Sequence, residues 1–150
     1  MEKITFIHGA DLHLDRPMVG LKELPERLFK RIQNSTFVAL KKLVNAAIDN
    51  NVDFVILAGD LFDLENRSIR AQARLRNEMN RLNEQGIQVF AVHGNHDHLG
   101  SHFGKIEMPE NVHIFSKEVE VKTFSKNDVI VHLYGFSYPK RHVKERMIHK

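Results

Sequence analysis

An α/β fold built on a parallel sheet is expected from three features of the sequence. Short apolar runs at residues 3–8, 52–58 and 87–92 alternate with two segments of helical periodicity. The runs are continuous rather than alternating, as in strands buried on both faces. Each is followed at once by a polar, glycine-containing loop, the arrangement found at the carboxyl edge of such sheets. A strand, helix, strand, helix, strand series of this kind implies a parallel sheet covered on both faces.

In order, residues 3–8 form a buried strand with Ile4, Phe6 and Ile7, ending at Gly9 in a polar loop that holds Pro17 and Gly20. One helix follows over residues 26–50, where Phe37, Leu40, Val44, Ala47 and Ile48 recur at three- and four-residue steps and make one apolar stripe. Asn50 and Asn51 end it, and residues 52–58 form the second strand. A loop over residues 59–67 leads to the second helix, residues 68–85, which Gly86 stops as a C′ residue. The third strand spans residues 87–92, and a long loop occupies residues 94–111. Beyond it Val119, Val121 and Phe124, then Val129, Val131 and Leu133, alternate around residues 125–128, which signals a hairpin. The tail, residues 140–150, is rich in charge and has neither cap nor stop signal.

A chain of 150 residues, 42% apolar and 27% charged, is long enough to bury a core without disulfides, and it contains no cysteine. The apolar run at the start is too short for a signal peptide and no stretch reaches the length of a membrane span, so a cytoplasmic location away from membranes is expected. The net charge of +3, from 22 Lys and Arg against 19 Asp and Glu, does not by itself imply nucleic acid. The 10 histidines acquire meaning only through spacing.

Three motifs carry the chemistry: Asp11-Leu12-His13 after the first strand, Gly59-Asp60-Leu61-Phe62-Asp63 after the second, and Gly94-Asn95-His96-Asp97 after the third. All would meet at one sheet edge. Carboxylate, imidazole and amide oxygen suit manganese, iron or zinc. In a two-metal site a bridging hydroxide attacks phosphorus while both ions absorb charge. Gly59 and Gly94 would let the backbone turn sharply beside the ions. Singly each motif has a plainer reading: Asp-x-His arises by chance, Asp63 could cap a helix, and Asn95 is a common turn residue. Their succession after three consecutive strands outweighs those readings.

With these motifs the sequence resembles the calcineurin-like metallophosphoesterase superfamily. The stretches 10–15 and 58–63 are similar to its bacterial DNA-repair exonuclease branch, of the SbcD and YhaO type, over Phe6 to about Pro139. The resemblance implies a sandwich of β-sheets flanked by helices (αββα) and two divalent ions, with manganese expected and iron or zinc as alternatives. Asp11 and His13 would bind the first ion, Asp60 would bridge both, and Asn95 would bind the second. His96 would contact the scissile phosphate and assist the leaving oxygen, oriented by Asp63, with Asp97 shaping the turn. A carboxylate beside that imidazole would keep it partly protonated, as a general acid requires.

The chain departs from the superfamily pattern in one respect: no Gly-His-x-His follows Asp97. His132 is explained by its strand position, and His98, His102, His113, His142 and His149 are no better placed to substitute. Residues 1–150 are therefore expected to be the N-terminal portion of one nuclease domain, incomplete on its C-terminal side and inactive alone, with apolar surface exposed.

On the second helix Arg67, Arg70, Arg74 and Arg81 line up beside Ala71, Leu75, Met79 and Leu82. A solvated face is the plain explanation. DNA-backbone contact, with Arg67, Arg70 and Arg74 as candidates, or a homodimer surface are the alternatives. The leading functional expectation is a two-metal phosphodiesterase acting on DNA ends, with an ATPase subunit of the SbcC type as a partner. The competing ones are an enzyme of small phosphoesters or cyclic nucleotides, and a non-catalytic scaffold.

Overall fold

The computed structural model describes residues 3–17, 20, 21, 23–63, 68–99, 107–144 and 147. Strands β1 (Phe6–Ala10), β2 (Phe54–Ala58), β3 (Gln88–Val92) and β4 (Val112–Ile114) form one parallel sheet in the order β1-β2-β3-β4. Helices α1 (Glu26–Gln33) and α2 (Ser35–Asp49) connect β1 to β2, and α3 (Ile69–Glu84) connects β2 to β3. Strands β5 (Glu120–Lys126) and β6 (Val129–Gly135) pair as an antiparallel hairpin.

Sheet order and chain order run together across β1, β2 and β3, and right-handed crossovers then put both connecting helices on the same face. Accordingly α2 and α3 touch each other and share one core, in which Leu40, Val44, Leu75, Met79 and Leu82 meet Val55, Leu57, Val89 and Ala91. The other face is covered by the hairpin, whose Phe124, Val131 and Leu133 pack with Phe115 against Phe54, Ile56, Phe90 and Val92. Both faces of the sheet are thus covered, one by helices and the other by a second sheet.

Three expectations change in detail. The segment expected as one helix over residues 26–50 breaks at Asn34, whose side-chain amide donates to the Lys30 carbonyl (2.8 Å) and so competes with the helical ladder. No residue of α1 is fully buried, so little packing holds it in line with α2. The first strand lies at residues 6–10 rather than 3–8 and is not buried: Phe6 is 50% exposed because β1 is the sheet edge. Directly after the long loop lies β4, which the sequence does not signal, three residues being too few for a periodic pattern.

Both helices preceding a strand end alike. Asn51 and Gly86 take left-handed backbone angles (φ 47° and 68°), and the next residues, Val52 and Ile87, return their N–H groups to the carbonyls of Ala47 and Leu82. This helix stop turns the chain directly into β2 and β3. At the start of α3 the Ser68 hydroxyl accepts from Ala71 N–H (2.9 Å) and donates to Asp15, tying the helix to the loop after β1.

Candidate metal centre

The sheet register fixes where the three motifs lie. Ala10 is level with Ala58, and Ala58 with Val92, so β1, β2 and β3 end in one row and Asp11, Gly59 and His93 begin their loops side by side. Pairing continues past the strands: Asp11 N–H reaches the Gly59 carbonyl (3.3 Å), His13 N–H that of Asp60 (2.9 Å), and Gly59 N–H that of Val92 (3.0 Å). The backbone bends sharply here. Asp11, His13 and Asp60 have φ of 53°, 42° and 46°, a conformation uncommon for residues with a Cβ and concentrated at functional sites. A Cβ on Gly94 would overlap the Asp60 carboxylate and lie 2.7 Å from its backbone nitrogen, so only glycine allows the third loop to approach the second this closely.

The result is a donor cluster. Ligand atoms of Asp11, His13 and Asp60 all lie within 4.8 Å of one another. Among the described residues no Lys or Arg is paired with Asp11 or Asp60, so two carboxylates and an imidazole converge without a protein cation to balance them. That donor set fits a divalent ion. The neighbours free the right atoms: Asp63 Oδ1 engages His13 Nδ1 (3.0 Å), leaving Nε2 as the nitrogen able to ligate. His96 N–H donates to Asp60 Oδ1 (3.0 Å), leaving Oδ2 open. Hydrogen-bonded partners of this kind fix ligand orientation and raise basicity.

Asn95 sits between Gly94 and His96, both held against Asp60, which brings it to the same edge. The His96 ring meets the edge of the His13 ring, with centroids 5.5 Å apart, and is partly open to solvent. Asp63 lies between the two imidazoles. Its hydrogen bond is to His13, while His96 Nδ1 stands 3.6 Å away, and Arg16 Nε lies 3.4 Å from its other oxygen. Arg16 had no role on sequence grounds, because its link to Asp63 spans 47 positions.

Two further residues support the site from beneath. Asp97 is 1% exposed and accepts from Leu61 N–H (2.9 Å), Gly94 N–H (2.7 Å) and the His93 ring (3.0 Å), locking the second loop to the third. His93 is also buried, and its N–H donates to Ser137 Oγ (2.9 Å). The Asp97 of Gly-Asn-His-Asp is legible as a turn former, whereas His93 reads as the end of an apolar strand. Asp11, His13 and Asp60 are the one such cluster of acidic and histidine ligands among the described residues. His132 instead faces Thr123 (3.2 Å) on the hairpin and His113 lies 3.4 Å from Glu120; His102 and His149 are outside the described residues.

The α3 arginines lie apart from this cluster. Arg70 (2.6 Å) and Arg74 (3.4 Å) both donate to Asn34 Oδ1 and stack over the Phe37 ring, while Arg81 bridges Glu78 and Asn45. Arg67 is outside the described residues.

Comparison with known proteins gives the family. The family model described as Calcineurin-like phosphoesterase matches residues 4–144. The chain is 52% identical over 144 residues to the "Uncharacterized metallophosphoesterase YhaO" of Bacillus subtilis (strain 168), covering 95% of this chain and 35% of that protein. It is 29% identical over 147 residues to the "DNA double-strand break repair protein Mre11" of Thermoplasma acidophilum, covering 94% of this chain and 36% of that one. A crystal structure of a dimetal phosphatase from Danio rerio aligns at 24% identity with a TM-score of 0.42, over 62% of this chain and 29% of its own. The chain thus spans about a third of the length of these curated relatives. With the family model matching nearly the whole chain and the three motifs gathered at one sheet edge, the chain belongs to the calcineurin-like phosphoesterase family.

Proposed function

We propose that this chain supplies the metal-binding front part of a phosphodiester hydrolase that acts on DNA ends. The observation that carries the reading is the convergence of Asp11, His13 and Asp60 within 4.8 Å, beside the His96 ring. In this reading Asp11, His13 and Asp60 hold one divalent ion, with Asp60 shared and Asn95 contributing to a second. When bound, the ions supply Lewis acidity toward the phosphoryl oxygens and lower the pKa of an attacking water. His96, partly exposed at the mouth, donates a proton to the departing oxygen. Asp63 holds the His13 ring so that its Nε2 faces the cluster, and Arg16, exposed beside Asp63, offers a cation to substrate phosphate. The two ligands counted for the second ion, Asp60 and Asn95, are few, so further donors would come from elsewhere in the full-length protein.

DNA as substrate is supported by similarity to relatives named as DNA double-strand break repair proteins. The test compares manganese-dependent cleavage of linear duplex DNA and of a cyclic nucleotide by the full-length protein. Cleavage from DNA ends is expected; turnover of the cyclic nucleotide alone would move the reading to small phosphoesters, and neither activity would leave a scaffold.

A further inference from the structure

Past β6 the chain runs back to the metal edge before entering a groove of about 1000 Å³. Tyr138 makes the junction: its N–H donates to the His93 carbonyl (3.0 Å) and its carbonyl accepts from Leu99 N–H (2.9 Å). Those two partners bracket the segment that holds Asn95 and His96. Pro139, the residue after Tyr138, lines the groove, so the groove begins one residue from the contacts to the loop that carries the candidate proton donor.

Its lining is strongly cationic. Lys117, Lys140, Arg141 and Lys144 face it against a single acid, Glu118, so the groove carries +3, equal to the net charge of the whole 150-residue chain. All four cations are exposed, and none has a carboxylate partner among the described residues. Arg16, Lys30, Arg81 and Lys126 are each ion-paired and Arg70 and Arg74 are hydrogen-bonded to Asn34, whereas Lys41, Lys42 and Arg76, like the groove cations, have no carboxylate partner among the described residues. The floor of the groove is apolar, formed in part by Phe136, Pro139 and Val143. A row of unpaired cations over apolar side chains suits the sugar-phosphate backbone of duplex DNA.

We infer that this groove holds the DNA strand leading away from the scissile phosphate, a reading that rests on the DNA substrate proposed above. Lys144 lies six positions beyond Tyr138, a reach of at most about 20 Å. With one phosphate per about 3.4 Å along each strand, the groove cations meet roughly the first six phosphates beyond the cut. His142, also in the lining, adds a further hydrogen-bond donor.

The test measures binding of a fluorescently labelled duplex with one single-stranded end to the full-length protein, without added metal so that no strand is cut. Salt dependence is the readout. Each lost phosphate contact lowers the slope of log affinity against log salt by about 0.9, so Lys140→Gln/Arg141→Gln/Lys144→Gln should lower it by about 2.7. Between about 50 and about 200 mM salt the variant's affinity then falls roughly fortyfold less than that of the unsubstituted protein. Lys41→Gln/Lys42→Gln, on the exposed face of α2, is the control and should leave the slope nearly unchanged. Melting temperature and manganese binding report folding, and the single Arg141→Gln variant serves if the triple fails either. An unchanged slope and affinity in a folded variant, with the unsubstituted protein binding DNA, overturns the groove and spares the DNA substrate. Failure of the unsubstituted protein to bind DNA while it hydrolyses a small phosphodiester overturns both.

Discussion

Along α3, Arg70 and Arg74 share the Asn34 amide oxygen and lie over Phe37, and Arg81 bridges Glu78 and Asn45. At the carboxyl edge of the sheet, Asp11 and Asp60 lie together with no paired cation among the described residues, on backbone bent into left-handed angles. Both regions are dense in charge. On the helix these three arginines have found partners within the chain, which lowers their energy and uses them up. At the loop edge like charges are collected at a cost in backbone strain and repulsion that the fold alone does not recover. Charges held in that way await a ligand; charges satisfied in place do not.

The sharpest way to break this contrast is at His96, which the account makes a proton donor and not a ligand. His96→Ala in the full-length protein should lower phosphodiester turnover by about 10² to 10⁴ and leave manganese affinity nearly intact. Matching losses in both, read by kinetics and calorimetry, would make it a ligand. Next in size is Asp63→Asn. Because Asp63 hydrogen-bonds His13 at 3.0 Å, the substitution should weaken manganese affinity by about 10- to 100-fold. A change in turnover with unaltered metal affinity would show that Asp63 serves His96 alone.

Much of this edge is legible in the sequence, and the reason is local. Asp11-Leu12-His13, Gly59-Asp60 and Gly94-Asn95-His96-Asp97 each follow an apolar run directly, so strand ends and motif positions come together from neighbouring residues. What stays hidden depends on contacts across long separations. The break at Asn34 is completed by Arg70, 36 positions away, and the Asp97 clamp on Leu61 spans the same distance. The left-handed angles at Asp11, His13 and Asp60 follow from three loops interlocking, which no single segment encodes. The exposure of Phe6 likewise follows from sheet order, since an edge strand and a central strand can share one apolar pattern.

Away from the site the effects should be smaller. Asp53 joins the hairpin tip to the sheet, accepting from Lys126 Nζ (2.6 Å) and Thr5 N–H (2.8 Å). Burial pushes its pKa up, but these two bonds outweigh it and hold the carboxyl below its usual value. A depressed folded pKa means stability that is complete above the unfolded value of about 3.9 and lost as pH falls through the folded one. Asp53→Asn should therefore flatten the acid limb of a stability-against-pH curve, and an unaltered limb would place that acid sensitivity elsewhere. Lys126 is 44% exposed, which limits the effect at neutral pH to about 1 kcal/mol or less. The smallest change is expected from Arg74→Ala, about 0.5–1 kcal/mol lost from the contact with Phe37 in denaturant unfolding, with DNA binding unaffected. Weakened DNA binding with unchanged stability would put the α3 stripe on the substrate path.

The loop edge is tested most directly by anomalous diffraction from crystals of the full-length protein grown with manganese. Two peaks about 3.5–4 Å apart are expected, one touching Asp11, His13 and Asp60 and the other touching Asp60 and Asn95. A single peak, or peaks away from Asp60, would contradict the two-ion site.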